Sequence, residues 1–531
     1  MELTHAIASR QAPRAMSPNG AVRDLPDEAA TAELARELAL FVRPGDCLAI
    51  SGDLGSGKTA LARGLIQALG PQGANLDVPS PTFTLVQTYD DTRVAVAHFD
   101  FYRLNDPAEL AETGFHDLLE SHLTLVEWPD RLPGELPEDR LEVALEIAGT
   151  GRRARLTGHG TWRARLARVE AARRFLLDSA WAAARRLHLN GDASYRRYER
   201  LVADDGGTAV LMDMPARPDG PAIRDGRSYG AIAHLAENCR AVVAINTGLR
   251  QAGLSAPELY ALDMAQGFLL IEDFGDRLYG RMMADGEDVC EPMGAAVTLL
   301  ADMAERDWPR SMPLPDGTEY VLADYDDDAL NIELSLLADW FWPLVKGEPI
   351  PNDLREEFHA VWGIVLPAAR SDAPVWVLRD YHSPNLIWLP EREGIARVGL
   401  LDAQDCVFGH PAYDLASLLQ DARVDIPGSV ARDLFDYYCA MRQARSSFDR
   451  AAFEAAYAVL GAQRATKILG IFARLSRRDG KHGYLRHLAR VSRTLESSLS
   501  HPALAPVRQW LDRHLPASAR SAAVQRLPHT T

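Results

Sequence analysis

Between Val375 and Asp405 the chain reads VWVLRDYHSPNLIWLP, a short polar loop, and then VGLLDAQD. The apolar runs VWVL and VGLL have the length and composition of buried strands. Each run leads to an aspartate, Asp380 and Asp402, and Asn385 follows Asp380 by five residues. An aspartate that can accept a hydroxyl proton, an asparagine that can hold a metal, and a second strand-end aspartate on the same metal make up a phosphoryl-transfer loop with the spacing D-x-x-x-x-N. The plainer reading, three polar caps on strand ends, leaves that spacing unexplained.

A second phosphate-handling motif lies far upstream, GDLGSGKT at Gly52–Thr59. The buried-strand candidate Cys47–Ile50 runs into it, and ALARGLIQALG continues as a helix. Strand, glycine loop and helix together form the setting of a Walker A motif. Gly52, Gly55 and Gly57 let backbone N–H groups turn onto phosphate, Lys58 reaches the outer phosphates, and Thr59 offers a hydroxyl to magnesium. Downstream come Ser80-Pro-Thr-Phe83, the strand-like VAVAHFD ending on Asp100, and LTLVEWPD with Glu127 at its strand end. A carboxylate at a strand end beside the Walker loop completes a magnesium site, and Asp100 and Glu127 compete for that role.

A chain of 531 residues is too long for one core and suits two or three domains. Its net charge of −17 argues against broad coating by nucleic acid and leaves room only for a local basic patch. The basic run Arg152-Arg153-Ala-Arg155 is read as a solvated sheet edge, with approach to RNA as the alternative. Five scattered cysteines without a C-x-x-C pair fit a reducing compartment and offer no zinc site. The first residues lack an apolar signal core and no apolar run reaches membrane-spanning length, so a cytoplasmic location without membrane contact is expected.

The ordered motifs Gly52–Thr59, Ser80–Phe83, Asp100-Phe-Tyr-Arg-Leu104 and Glu127-Trp-Pro129 resemble the TsaE family, ATPases of bacterial tRNA threonylcarbamoyladenosine biosynthesis. The resemblance covers roughly residues 25 to 158. It implies ATP on the Walker residues, a switch-like SPTF segment, Glu127 as a Mg2+ ligand beside Thr59, Asp100 as a second acid needed for turnover, and Trp128 near the nucleotide. It also implies protein partners in the tRNA-modifying complex, with tRNA engaged only indirectly.

The sharpest break is Gly158-His-Gly160, and Trp162–Arg186 is read as one helix opening the second unit. Gly191-Asp-Ala-Ser194-Tyr-Arg196-Arg197 is a turn feeding a strand, suited to covering phosphates, although a plain hairpin would look the same. Met212 stands where a kinase carries its strand lysine, and Arg196 or Arg197 is the candidate replacement cation. Near Glu272, at the end of the strand GFLLIE, backbone groups are suited to adenine. Asp380 is assigned as base or orienter of the acceptor hydroxyl, with Asn385 and Asp402 on magnesium. His382 is left as scaffold, Asp414 as a brace of the loop, and Glu333 or Asp339 as candidate partners of sugar hydroxyls.

Residues 165 to 511 resemble the aminoglycoside and choline phosphotransferases. More narrowly they resemble the AmgK group of sugar kinases, which act on the anomeric hydroxyl of N-acetylmuramate and N-acetylglucosamine. The stretches that carry the likeness are Gly191–Tyr198, Val210–Pro215, Ile271–Asp276, Arg379–Asn385, Leu401–Asp405 and Tyr413–Leu418. The loop reads R-D-Y-H-S-P-N where the wider superfamily has H-G-D-x-x-x-x-N, and the strand lysine is absent; the narrower group shares both departures. The resemblance implies ATP, Mg2+ and an amino-sugar acceptor, with Gly191, Ser194, Arg196 and Glu272 at the nucleotide. The expected architecture is an α/β P-loop ATPase domain followed by a bilobal protein-kinase-like α+β domain. The expected bounds are a tail at 1–24, the ATPase at 25–158, a linker at 159–164, the kinase at 165–515 with lobes meeting near 275, and a flexible end at 516–531. An amino alcohol or aminoglycoside acceptor, or a non-catalytic regulatory C-terminal half, are the alternatives.

Overall fold

The computed structural model describes residues 20–71, 76–189 and 196–525. Gly191 and Ser194 lie outside the described residues. The chain divides into two compact units, Met1–Asp213 and Met214–Thr531.

The first unit is built on a seven-stranded sheet. Its elements are β1 (Ala21–Leu25), α1 (Glu28–Ala39), β2 (Cys47–Gly52), α2 (Lys58–Leu69), β3 (Val86–Tyr89), β4 (Val96–Asp100), α3 (Pro107–Ala111), α4 (Phe115–Ser121), β5 (Leu123–Glu127), β6 (Leu141–Ala148), β7 (Gly151–Gly158) and α5 (Trp162–Leu177). The strand order is β1-β7-β6-β2-β5-β4-β3. The central β6, β2, β5 and β4 are parallel neighbours, and β1, β7 and β3 join antiparallel. Alternation along the strands splits the core into two layers. Leu48, Ile50, Leu123 and Leu125 meet Leu34, Leu38, Leu61 and Leu65 of α1 and α2, whereas Ala97, Phe99 and Val126 meet Leu110 and Phe115 of α3 and α4.

Two expectations about the edges of this unit need correcting. Ala21–Asp24, read as part of a loose tail, belong to β1: Ala21 and Leu25 are buried while Arg23 pairs with Glu170, so the segment closes the free edge of β7. The break at Gly158–Gly160 does not detach the helix after it. Trp162 is fully buried in the sheet core with Leu166, and Arg165 grips Asp46 through two bonds of 2.5 and 2.7 Å. The helix expected over Trp162–Arg186 stops at Leu177, and Arg185–Leu189 is instead a strand, β8. It pairs antiparallel with β9 (Arg197–Val202), which pairs with β10 (Thr208–Asp213).

Among the described residues the second unit holds the hairpin Leu259–Asp263 with Phe268–Glu272, four short two-stranded ribbons, and a helical body. Two of the ribbons pair Val375–Val377 with Val407–Gly409 and Leu386–Trp388 with Val398–Leu400. Thus the VWV and VGL runs are strands, but they do not pair with each other: VWV takes its partner from beyond Asp402, and VGL takes its partner from between the two aspartates. The helix Arg450–Asp479 forms the spine and buries most of its length. At Gly470 it passes so close to another helix that an added Cβ would lie 2.3 Å from the carbonyl carbon of Leu336. That neighbour, Asp327–Leu336, widens into a π turn over Leu337–Phe341. The C-terminal end is also more ordered than expected: Ala517–Gln525 is helical, and the buried Arg520 donates to Leu515 O (2.7 Å) and pairs with Glu496.

Candidate active sites

In the first unit the ends of β2, β4 and β5 meet at one edge of the sheet. Register places Ile50 beside Glu127 and Glu127 beside Asp100, so the Walker loop and both acids share the carboxyl ends of adjacent parallel strands. That is where open α/β sheets bind ligands. Gly52 has φ 139°, and a Cβ there would lie 2.3 Å from Leu145 O, so only glycine allows the chain to leave the strand by this path. Gly57, with φ 102°, caps α2 and leaves the first helical N–H groups free of a side-chain cap.

Lys58 Nζ donates to Gly52 O (2.8 Å) and Asp53 O (2.9 Å) and lies 3.6 Å from the centre of the Trp128 ring. Burial pushes its pKa down, against the pull of Glu127, Asp100 and Asp53. Thr59 Oγ1 donates to Glu127 Oε2 (2.9 Å), and the other oxygen of Glu127 meets His98 Nε2 (2.9 Å). Asp100 holds the SPTF segment: its Oδ2 accepts from Thr82 Oγ1 (2.7 Å) and Ser80 Oγ (3.3 Å), while Oδ1 accepts from Tyr102 N (2.9 Å). Trp128 itself sits at φ 59°, a left-handed conformation uncommon for an aromatic residue.

Two residues here escaped the sequence reading. His98 orients Glu127 from the neighbouring strand; its signal was its position two residues before Asp100, on the same face of β4. Arg152, read as part of a solvated edge, donates to Ser56 O (3.1 Å) and Gly55 O (3.0 Å) and so holds two carbonyls of the Walker loop outward. Arg153 does lie at the edge, paired with Asp24 of β1.

At the start of β9, Arg196 is half-buried. Arg197 is committed to Asp213 (3.0 Å) and lies over Phe41, and Arg168 binds the same aspartate. That pairing draws Arg197 into the first unit, away from the free phosphate-binding cation expected.

In the second unit, Asp380 stands on a loop held from behind. Asp414 accepts Leu378 N (2.7 Å) and Arg379 N (2.9 Å), and Asp421 accepts Ser383 N (2.8 Å). Asn385 Nδ2 donates to Asp380 O (3.1 Å), and Asn385 O accepts Leu401 N (2.9 Å), which ties the two aspartate-bearing segments together. Arg379 (φ 66°) and Asp402 (φ 57°) both adopt left-handed backbone, at a cost of roughly 1–2 kcal/mol each. Such strain beside strand-end acids is typical of functional loops.

The side chain of Asp380 is 40% exposed. The surrounding protein mass penalises its charge, but His382, Lys467, Arg379 and Arg464 outweigh that and hold its pKa below the usual carboxylate value. Asp405 is pushed up to about 6 by burial, with Asp380 and Asp402 adding repulsion against Arg379. Burial raises Asp414 to about 7. Glu333, a candidate for sugar hydroxyls, is 1% exposed and fully engaged by Arg379, Lys467 (3.1 Å), Tyr325 (2.5 Å) and Gln463 (3.0 Å). It anchors the loop and has no free oxygen for a sugar. Asp339 is paired with Arg355 (2.6 Å). Glu272 closes its hairpin through Glu272 N to Glu258 O (2.9 Å), and its carboxylate holds Arg392 (2.5 Å).

Comparison with known proteins also finds two parts, the second beginning at residue 185, within the first compact unit. Residues 25–155 match the family model for threonylcarbamoyl adenosine biosynthesis protein TsaE, and residues 185–453 match that of the phosphotransferase enzyme family, APH. An N-acetylmuramate/N-acetylglucosamine kinase of Caulobacter vibrioides is 39% identical over 355 residues, 65% of this chain and 96% of the relative. A kinase of the same name from Pseudomonas putida is 31% identical over 58% of this chain and 82% of its own. A tRNA threonylcarbamoyladenosine biosynthesis protein TsaE of Rickettsia felis is 38% identical over 129 residues, 24% of this chain and 74% of the relative. The chain therefore belongs to the phosphotransferase enzyme family through its C-terminal part and to the TsaE family through the domain fused ahead of it.

Proposed function

We propose that the C-terminal part transfers the γ-phosphoryl group of ATP to the anomeric hydroxyl of N-acetylmuramate and N-acetylglucosamine, giving the α-1-phosphate, as in peptidoglycan recycling. The observation that carries this is Asp380, an ionised and partly exposed carboxylate on a loop braced by Asp414, with Asn385 and Asp402 tied beside it. Asp380 orients the anomeric O–H and takes its proton as the oxygen bonds to the γ-phosphorus and the bond to the β-phosphate oxygen breaks.

The donor chemistry fits magnesium in both parts. Hard oxygen ligands are offered by Thr59 and Glu127 in one and by Asn385 and Asp402 in the other, and the crowding of Asp380, Asp402 and Asp405 is the kind of charge a divalent cation relieves. Bound there, magnesium would neutralise charge on the phosphates. On the resemblance we assign nucleotide contacts to Gly191, Ser194, Arg196 and the Glu272 backbone, and to Gly52, Gly55, Gly57, Lys58 and Trp128 in the ATPase. Asp100, which grips both SPTF hydroxyls, is assigned to couple that segment to turnover. The ATPase would act with the other proteins of the tRNA threonylcarbamoyladenosine system. No helix among the described residues is long and apolar enough to cross a membrane, and we assign the protein to the cytoplasm.

The test is phosphate transfer from labelled ATP to N-acetylmuramate, N-acetylglucosamine, choline and kanamycin, with D380A and K58A alongside. An acid-labile sugar phosphate made by wild type and K58A but not D380A supports the reading. Transfer only to choline or kanamycin moves the acceptor class. No transfer, with ATP hydrolysis lost in K58A, makes the C-terminal part a regulatory module.

A further inference from the structure

The helix Arg450–Asp479 carries three buried or half-buried cations, Arg464, Lys467 and Arg474; the first two act on Asp380 and are balanced. Lys467 Nζ is shared between Glu333 (3.1 Å) and the Tyr413 hydroxyl (2.8 Å). Arg464 acts on Asp380 and Asp414 and donates to Gln420 O (3.4 Å). Arg474 differs. Its guanidinium lies 5.4 Å from the ring centre of Tyr229, and its Nε is buried with no hydrogen-bond partner among the described residues. The acid that acts on it, Asp479, is bridged by Arg478 at 2.7 and 3.0 Å. Burial accordingly pushes Arg474 down. A largely buried guanidinium with no ion pair among the described residues is an unfavourable arrangement, one that a bound carboxylate would correct.

Its position suits the proposed acceptor. Arg474 is seven residues from Lys467, two helical turns along the same face, a rise of about 10 Å. Tyr229, the ring beneath Arg474, is also acted on by Glu333, Lys467 and Arg379, the charged cluster behind Asp380. N-acetylmuramate differs from N-acetylglucosamine by one group, a lactyl ether on the ring that ends in a carboxylate. With the anomeric oxygen at Asp380, that arm projects from another side of the ring. A planar guanidinium stacked on an aromatic ring is well suited to a two-point bond with a carboxylate.

We propose that Arg474, seated on Tyr229, binds the lactyl carboxylate of N-acetylmuramate and sets the preference of the kinase for the acidic sugar. This rests on the functional reading above. The experiment measures kcat/KM of the full-length protein for N-acetylmuramate, its methyl ester and N-acetylglucosamine, in wild type, R474Q and R474K. Wild type is expected to favour the acid over its ester by about 10- to 100-fold, the range of a charged hydrogen bond. R474Q is expected to bring that ratio close to one, mainly through KM, and R474K to keep an intermediate preference. An acid-to-ester ratio near one in wild type overturns the assignment without recourse to any variant, and so does a ratio that R474Q leaves unchanged. A wild type inert toward all three sugars overturns the functional reading and the assignment with it. Phosphorylation of both sugars with an unaltered ratio overturns the assignment alone.

Discussion

Arg152 reaches from β7 to two carbonyls of the Walker loop, and the shape of that loop depends on it as well as on the glycines. With those carbonyls held outward, the neighbouring N–H groups are left to face phosphate. R152A is expected to raise the KM for ATP of the N-terminal ATPase about tenfold, the loss of one charged hydrogen bond or so, while folding is retained; steady-state hydrolysis checks this. In the second unit Asp414 supplies a pH signature. Its folded pKa, about 7, is above the carboxylate value of an unfolded chain. Its contribution to stability is therefore complete below about pH 4 and lost as the pH rises through about 7. Thermal unfolding of wild type and D414N between pH 5 and 8 should show the wild type losing ground relative to D414N across that window. In the same variant the loop amides of Leu378 and Arg379 keep only one acceptor oxygen, and sugar phosphorylation should fall by roughly 10- to 100-fold through kcat.

At the scale of elements, two close packings are exposed to single substitutions. G470A would press a methyl group into the Leu336 backbone, where neither helix can yield cheaply, and should destabilise the second unit by roughly 1–3 kcal/mol in denaturant unfolding. W162A would open a cavity beneath the seven-stranded sheet and cost about 3–5 kcal/mol in the first unit. Which elements were legible in the sequence depends on how local their cause is. A strand that runs into glycines or stops on an acid announces itself within ten residues, and so β2 with its Walker loop, β5 with Glu127 and the stretch around Asp380 could all be read. The allegiance of α5 could not, because Trp162 and Arg165 declare it only through contacts with β2-side residues such as Asp46, 119 positions away from Arg165. The support of the catalytic loop was hidden for the same reason: Glu333 reads as a candidate for sugar hydroxyls until Arg379 and Lys467, the latter 134 positions distant, are brought against it. The ribbons around Asp380 and Asp402 were legible as strands but not as pairs, since three-residue strands carry too little pattern to fix a partner.

For the whole molecule, the two family matches span two separate sets of residues for which we propose phosphate handling, Lys58 with Glu127 and Asp380 with Asp402. Expected of these sets is chemical independence: D380A should abolish sugar phosphorylation, by about 10²–10⁴-fold, and leave the ATPase rate of the N-terminal domain within a factor of two. K58A should do the reverse. Parallel assays on both single variants check this, and a loss of both activities in either variant would point to coupling. The helix α5 bears on how such a chain came to exist. Its first turn is buried in the sheet of the ATPase domain, beyond the residues matched by that family and before those matched by the other. A gene split at the glycines before it would strand Trp162 in water, and a split after Leu177 would not. Any lineage in which the two halves are encoded separately should thus have its breakpoint on the C-terminal side of this helix, or have lost its tryptophan.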